Sequence, residues 1–234
     1  MEIYKLKDEV PEGRNGGERL GDAEVFDKSS GGGDLIITDL KQGLKNPERV
    51  NVFVDGKFLF SLNVAQVVDF KLKVGVKLDE ERLAELKRAS EFGKLYQRAL
   101  EWVLARPRSE REVRHYLSKK VYEKKLDKKY IDDIIERLVQ KKYVDDRRFA
   151  EFWVENRFVK KGVSRKRLEM ELMKKGVARE VIEEALSGRD DEEEIYKMVV
   201  KKRAKYDDEK LVAYLVRQGF SYDLAKRVVE EYQD

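Results

Sequence analysis

The sequence of 234 residues contains no cysteine, one histidine and three prolines. Without cysteine it can form no disulfide and hold no thiolate nucleophile or cysteine-bound metal, and this composition suits a reducing cytoplasm. His115 has no second histidine as a partner, so we interpret it as a surface residue rather than a metal ligand. No apolar run approaches the ~18 residues of a membrane span, and no signal-peptide core is present. We therefore expect a cytoplasmic protein with no membrane segment, metal or cofactor.

The carboxylates form clusters that lack a catalytic pattern. Asp132-Asp133, Asp145-Asp146 and the run Asp190–Glu194 are the candidates for acid–base chemistry or Mg²⁺ binding. Adjacent residues on a helix point about 100° apart, which suits capping and compensation of the helix dipole better. Asp145-Asp146 stands just before a periodic apolar stretch that begins at Phe149, so we interpret the pair as a helix N-terminus. We expect no enzymatic activity.

The sequence does contain a spacing pattern that occurs three times, with anchors at Ser109, Ser164 and Asp207. Apolar residues follow four and eight residues later: Val113 and Leu117, Leu168 and Leu172, Leu211 and Leu215. In the second and third copies more follow at plus thirteen, seventeen and twenty-one: Val177, Val181 and Ala185, and Phe220, Leu224 and Val228. The first copy fits if five residues are inserted, which gives Ile131 and Ile135. Such a repeat predicts helical units that bury their apolar faces partly against their neighbours.

Each repeat is expected to hold three short helices, of which the middle one is the anchor helix. Ser109 and Glu112 form a capping-box pattern at the start of the first anchor helix, and Pro107 ends the helix before it. Glycines at 162, 176 and 219 mark helix ends. We place the repeats at residues 91–143, 144–189 and 190–234. Phe152-Trp153 could stack on a nucleic-acid base, but within an amphipathic helix the pair is more often part of the core.

The N-terminal part has a different composition. Residues 1–33 are rich in glycine and acidic residues and are expected to be disordered. Residues 34–90 predict a small α+β module, because alternating apolar residues flank Asp55-Gly56, a strong type I′ hairpin signal. Pairing across that turn places Phe53 opposite Phe58 and Val52 opposite Leu59. The predicted fold class is mainly α: tandem three-helix repeats in an elongated array, preceded by a small α+β module with a β-hairpin.

Positive charge is concentrated in the middle of the chain. Residues 96–189 carry 26 basic and 17 acidic side chains, net +9, whereas the flanking segments carry net charges of −2 and −3. On the anchor helices, the face opposite the buried leucines carries Lys166, Arg167, Met170 and Lys174 in the second repeat. The corresponding residues are Arg111, Glu112, His115 and Lys119 in the first repeat and Glu209, Lys210, Ala213 and Arg217 in the third. This pattern predicts a basic ridge that meets a polyanion; the alternative is a face that only confers solubility.

Four segments resemble motifs of the RecX family, regulators of the RecA recombinase. They are residues 106–113 (RPRSEREV), 142–150 (KYVDDRRFA), 162–177 (GVSRKRLEMELMKKGV) and 219–221 (GFS). The segments occur in the family's order, and Gln218 stands where the family usually has a basic residue. Residues 35–90 are similar to the N-terminal extension of longer family members. The resemblance implies a protein without catalytic residues, built of tandem three-helix repeats.

The resemblance also implies the partners. RecX proteins bind RecA and are thought to lie in the groove of the RecA–DNA filament, where they limit filament extension, strand exchange and the SOS response. We expect a monomer that binds single- or double-stranded DNA weakly and without sequence specificity. The residues expected to contact RecA or DNA are Arg111, Lys119, Arg147, Arg148, Arg157, Lys166, Arg167 and Lys174. The alternative is a nucleic-acid-binding helical protein that acts without RecA, since three-helix units with a basic second helix resemble helix-turn-helix modules.

Overall fold

The structure, a computed structural model, describes residues 35–44 and 46–232, without the side chains of residues 157–161. The segment 1–33, expected to be disordered, lies outside the described residues. The chain divides into two compact units between Leu86 and Lys87. The elements are β1 Leu35–Gln42, β2 Arg49–Val54, β3 Lys57–Asn63, α1 Val64–Asp69, β4 Lys77–Leu78, α2 Glu80–Leu104, α3 Glu110–Glu123, α4 Lys129–Gln140, α5 Asp146–Lys161, α6 Arg165–Lys174, α7 Arg179–Ala185, α8 Asp191–Lys202, α9 Asp208–Arg217 and α10 Tyr222–Glu231.

The first unit contains an antiparallel sheet with strand order β3-β2-β1-β4. Asp55 and Gly56 both have positive φ, 48° and 80°, which confirms the type I′ hairpin. Phe53 pairs with Phe58 as expected, and their rings meet edge to face at 6.0 Å. The other expected pair is wrong, because Val52 lies opposite Phe60. A bulge at this point inserts one extra residue in β3 and places Val52 and Phe60 on the same buried face.

The three anchor helices are α3, α6 and α9, and they begin where the sequence predicts. The side chains of Ser109, Ser164 and Asp207 each accept a hydrogen bond from the backbone N–H three residues later. Leucines 117, 172 and 215 are fully buried, which confirms the repeated apolar face. Between residues 96 and 232 the structure has helices and connecting turns but no strand. The mainly helical fold class is therefore confirmed for the described residues.

The alignment of the first repeat differs from the predicted one by a single residue. Helix α3 has 14 residues, whereas α6 and α9 have 10 each, so the insertion is four residues, or one helical turn. Two positions after the last residue of each anchor helix stands a residue with positive φ: Lys125, Gly176 and Gly219. Ile131 therefore corresponds to the buried Ile182 and Ala225. The expected positions Val181 and Leu224 are only half-buried, because the inward face of these helices begins one residue later.

Trp153 belongs to the core of the second repeat. It is 3% exposed, contacts the buried Phe149, and its Nε1 donates to Glu171 Oε2 at 3.0 Å. A buried indole whose N–H is satisfied within the fold is not available to stack on a base. The core interpretation of this aromatic residue is confirmed. His115, by contrast, is exposed on α3, as expected.

Candidate functional site

The anchor helices of successive repeats meet end to end. Ser109 Oγ, at the start of α3, donates to the carbonyl of Lys175 at the end of α6, at 2.8 Å. The Ser164 N–H, at the start of α6, donates to the carbonyl of Gln218 at the end of α9, at 3.2 Å. Carbonyls that lack an intrahelical partner are satisfied in this way. The negative end of one helix dipole also lies against the positive end of another, which is favourable.

The aspartate pairs at positions 145–146 and 190–191 connect neighbouring repeats. The first member caps its own helix, since Asp145 accepts from the Arg147 N–H at 2.9 Å and Asp190 from the Glu192 N–H at 2.8 Å. The second member accepts the first N–H of the preceding anchor helix, at 2.9 Å for Asp146 and 2.7 Å for Asp191. Burial raises the pKa of Asp146. The hydrogen bond that its carboxylate accepts from the Glu110 N–H acts in the opposite direction, because it favours the charged carboxylate. The capping interpretation is confirmed and extends across the repeat boundary.

Two of the predicted contact residues pack at these boundaries. A Cβ on Gly176 would lie 2.7 Å from Arg111 Cδ, and one on Gly219 would lie 3.1 Å from Arg167 Cβ. Arg167 Nη1 also donates to the Arg217 carbonyl at 2.8 Å. Both arginines therefore have their side chains against the next repeat. Arg167 stays 41% exposed, so its predicted place on the outward ridge remains a prediction, but part of its side chain also serves the boundary between repeats.

The remaining outward face of α6 combines lysine and methionine. Lys166 and Lys174 are exposed, as predicted, and Met170 between them is 49% exposed. Met173, 45% exposed, lies on the same side and was not predicted. The only feature of the sequence that could have predicted this exposure is that Met173 directly precedes Lys174 on the helix. We call these four residues the α6 face.

The structure separates the other predicted contact residues. Arg147 Nη1 lies 2.7 and 2.5 Å from the two carboxylate oxygens of Glu184, so its charge is matched. Lys119 is exposed on α3. The side chain of Arg157 lies outside the described residues. Arg148 is exposed and lines a cleft within the second unit.

This cleft has a volume of about 100 Å³ and lies where the end of α2 meets the start of α5. We call it the Arg148 cleft. Its lining residues are Val103, Leu104, Arg106, Pro107, Arg108, Lys142, Tyr143, Asp145 and Arg148. Four of them are cations and one is a carboxylate. Sequence reasoning found only Arg148, although the Arg106-Pro107-Arg108 sequence places two cations at a fixed helix end.

The described residues contain neither a metal cluster nor a membrane segment. No three His, Cys, Asp or Glu side chains in this part of the chain are grouped so that they could hold a metal ion. None of the helices described above combines the length and the apolar character needed to cross a bilayer.

Comparisons with known proteins identify two segments and several relatives. Residues 35–79 match the family model "Regulatory protein RecX N-terminal domain", and residues 145–186 match "RecX, second three-helix domain". "Regulatory protein RecX" of Bacillus velezensis is 31% identical over 206 residues, covering 84% of this chain and 77% of the relative. "Regulatory protein RecX" of Geobacillus sp. is 33% identical over 213 residues, covering 85% and 77%. A solved structure, "Crystal structure of regulatory protein RecX", matches with a TM-score of 0.64 at 22% identity, covering 84% of this chain and 99% of the other.

Proposed function

The chain belongs to the RecX family of regulatory proteins, and we propose that it is a negative modulator of the RecA recombinase. In this proposal it acts in the cytoplasm as a monomer without enzymatic activity. It binds in the groove of the RecA–DNA filament and limits filament extension, strand exchange and the SOS response. It also binds single- or double-stranded DNA weakly and without sequence specificity.

The α6 face is the observation that supports this proposal most directly. It presents two exposed methionines between and beside two exposed lysines on one short helix. Methionine adapts its shape to irregular apolar surfaces and is common at protein-binding faces. The lysine ammonium groups attract carboxylates and phosphates, and both are present where a recombinase holds DNA. A face made only for solubility would not need two exposed thioether side chains.

The contacts between repeats supply the rigidity that groove binding requires. Hydrogen bonds from Ser109 and Ser164 fix each anchor helix against the next one. Less conformational entropy is lost on binding when the contact residues are already held in place. Successive repeats bound along the groove would each contact RecA or DNA, so that subunit addition and movement of DNA strands are both obstructed.

The experiment measures RecA ATPase on single-stranded DNA with increasing amounts of this protein. Wild type should lower the rate, whereas Lys166→Glu/Lys174→Glu should raise the concentration needed for inhibition more than tenfold. Like charges across an interface cost several kcal/mol, and about 1.4 kcal/mol is already tenfold in affinity. Arg167 is left unchanged, because its bond to the Arg217 carbonyl is part of the fold.

The control reverses the same number of charges on α9, where the outward face is mixed in sign. Lys210→Glu/Arg217→Glu should inhibit RecA at nearly the wild-type concentration. Both variants must give the circular dichroism spectrum and thermal melt of a folded protein. Inhibition by the α6 variant at wild-type concentrations would refute the assignment of this face.

A second candidate function is sequence-independent nucleic-acid binding without RecA. The observation that favours it is the Arg148 cleft, in which cations outnumber carboxylates four to one. Under this alternative, wild type would leave RecA ATPase unchanged at concentrations that saturate free single-stranded DNA.

A further inference from the structure

We propose that the Arg148 cleft is a binding site for the phosphodiester backbone of single-stranded nucleic acid. This inference rests on the DNA-binding part of the proposed function and assigns a place to it. The cleft is lined by residues 103–108 and 142–148, and none of the four residues of the α6 face is among them. Three observations support this ligand: the excess positive charge of the lining, the half-buried cation Arg108 and the exposed ring of Tyr143.

The cations of the cleft are only partly matched by carboxylates. Asp145 is the one acidic residue of the lining, and its Oδ1 already accepts from the N–H groups of Arg147 and Arg148. Arg106 lies 3.2 Å from a carboxylate oxygen of Glu112, but Lys175 lies 2.8 Å from the same carboxylate. One negative charge is thus shared by two cations. The lining therefore carries an excess of positive charge that attracts an anion.

Arg108 is a half-buried cation of the lining, and the carboxylate that acts on its charge is Glu112, which Arg106 and Lys175 already share. Its guanidinium carbon lies 3.9 Å from the ring centre of Trp102, which also stacks on the ring of Tyr116 at 4.6 Å and packs against the core of the first repeat. The buried Arg108 Nε has no hydrogen-bond partner among the described residues. Burial, and then the charge of Arg106, lower the pKa of Arg108 to about 10, so it is still a cation at neutral pH. The charge of this half-buried guanidinium, with only a shared carboxylate nearby, is stabilised by a bound oxyanion.

The dimensions and the rim of the cleft favour a strand with unpaired bases. A volume of about 100 Å³ is several times the ~10–15 Å³ that one water molecule needs, so a phosphate group fits. Tyr143 at the rim is 41% exposed. An exposed ring beside phosphate-binding cations offers a stacking surface for a base, and only an unpaired base can reach it. An acidic peptide would use the cations but not the ring.

The test measures binding of fluorescently labelled oligo(dT) at several salt concentrations in the absence of RecA. Lys142→Gln/Arg148→Gln removes two exposed cations of the cleft and leaves the Arg108 stack intact. Each phosphate contact on a single strand contributes about 0.7 to the slope of log K against log salt. Loss of two contacts should lower the slope by about 1.4 and weaken binding about 25-fold at 0.1 M salt, but hardly at 1 M.

The matched control is Arg179→Gln/Lys210→Gln, which also replaces one arginine and one lysine. Arg179 pairs with Glu183 and Lys210 with Asp207, so in the wild type both cations already have a carboxylate partner and lie outside the cleft. The control should keep the wild-type slope. Equal changes in the two double variants would mean that only net charge matters and would overturn the assignment of the cleft.

The fluorescence of Trp102 distinguishes binding at the cleft from binding at a distant site. The chain has two tryptophans, so Trp153→Phe leaves Trp102, beneath Arg108, as the only indole. Oligo(dT) should change the fluorescence of Trp102, and poly-glutamate at equal charge should change it much less, because a peptide gains nothing from stacking on Tyr143. A response to poly-glutamate of the same size would favour an acidic peptide as the ligand and overturn the proposal. Because RecA is absent, these results are independent of RecA ATPase inhibition.

Discussion

Replacing Glu112 with glutamine is expected to destabilise the second unit by about 1–3 kcal/mol. Glu112 belongs to the first turn of α3, yet its carboxylate lies 2.8 Å from Lys175 Nζ and 3.2 Å from Arg106 Nη1. It therefore joins the first repeat to the end of α6. Its side chain is 14% exposed, so water compensates poorly for the loss of a partner. Hydrogen bonds to charged groups contribute about 1.5–3 kcal/mol, and glutamine keeps one acceptor oxygen.

The effect should depend on pH in a defined direction. Burial alone would raise the pKa of Glu112, but the hydrogen bond from Lys175 and the charge of Arg106 outweigh it and lower the pKa below 4.5. A carboxyl whose pKa is lower in the folded state stabilises the fold above its unfolded pKa. This contribution disappears as the pH falls through the folded pKa. The stability difference between wild type and Glu112→Gln should thus be constant above about pH 5 and shrink towards pH 3.

Urea denaturation followed by tryptophan fluorescence measures this difference, because both tryptophans lie in the second unit. Urea does not screen charges as guanidinium chloride would. The control is Glu110→Gln in the same helical turn, whose partner Arg114 lies 3.2 Å away, with both side chains nearly half exposed. Exposed pairs of this kind contribute about 0.3–0.5 kcal/mol. Equal losses in the two variants, or a difference that persists at pH 3, would refute the role assigned to Glu112.

Two further predictions concern the packing of the repeats, both measured by urea or thermal denaturation. Leu172→Ala, which truncates a fully buried side chain, should lower the free energy of unfolding by about 2–5 kcal/mol. Lys166→Ala on the opposite face should lower it by about 0.5 kcal/mol or less. Equal losses would mean that the wrong face of α6 was taken as buried. Gly176→Ala should cost about 2–4 kcal/mol, because φ is +82° and the new Cβ would lie 2.7 Å from Arg111 Cδ. Gly188→Ala, whose Cβ meets nothing within 4 Å, should change stability by about 0.5 kcal/mol at most, and a similar loss at both glycines would contradict the boundary contact.

The features that could be predicted from the sequence are those fixed by local periodicity. An apolar residue four and eight positions after a capping residue must lie on one helical face, so the burial of leucines 117, 172 and 215 followed directly. The hairpin at Asp55-Gly56 was equally local, since two successive positive φ values strongly favour those residue types. The bulge that shifted Val52 onto Phe60 depends on which face of the sheet is buried, and alternation alone does not determine this.

The candidate site was only partly predictable, because it depends on contacts between distant residues. A helical projection places Arg167 on the outward side, but the end of the following anchor helix lies there and supplies the Arg217 carbonyl. The sequence gives no sign that Arg147 has a partner, because its partner Glu184 lies 37 residues away along the chain. The Arg148 cleft unites residues from the end of α2, the α2–α3 connection, the α4–α5 connection and α5, and no spacing rule connects the first two segments with the last two.

The end-to-end arrangement of the anchor helices determines where the chain tolerates a change in length. A helical turn added to α6 would carry its last carbonyls about 6 Å further, into the space that Ser109 occupies. The same holds for α9 and Ser164, and these two helices have equal lengths of 10 residues. Helix α3 is the terminal member of the series, and its extra turn lies at its C-terminal end, where no further anchor helix follows within residues 35–232. Insertions should therefore be accepted after Glu123, the last residue of α3, far more readily than at the corresponding ends of α6 and α9.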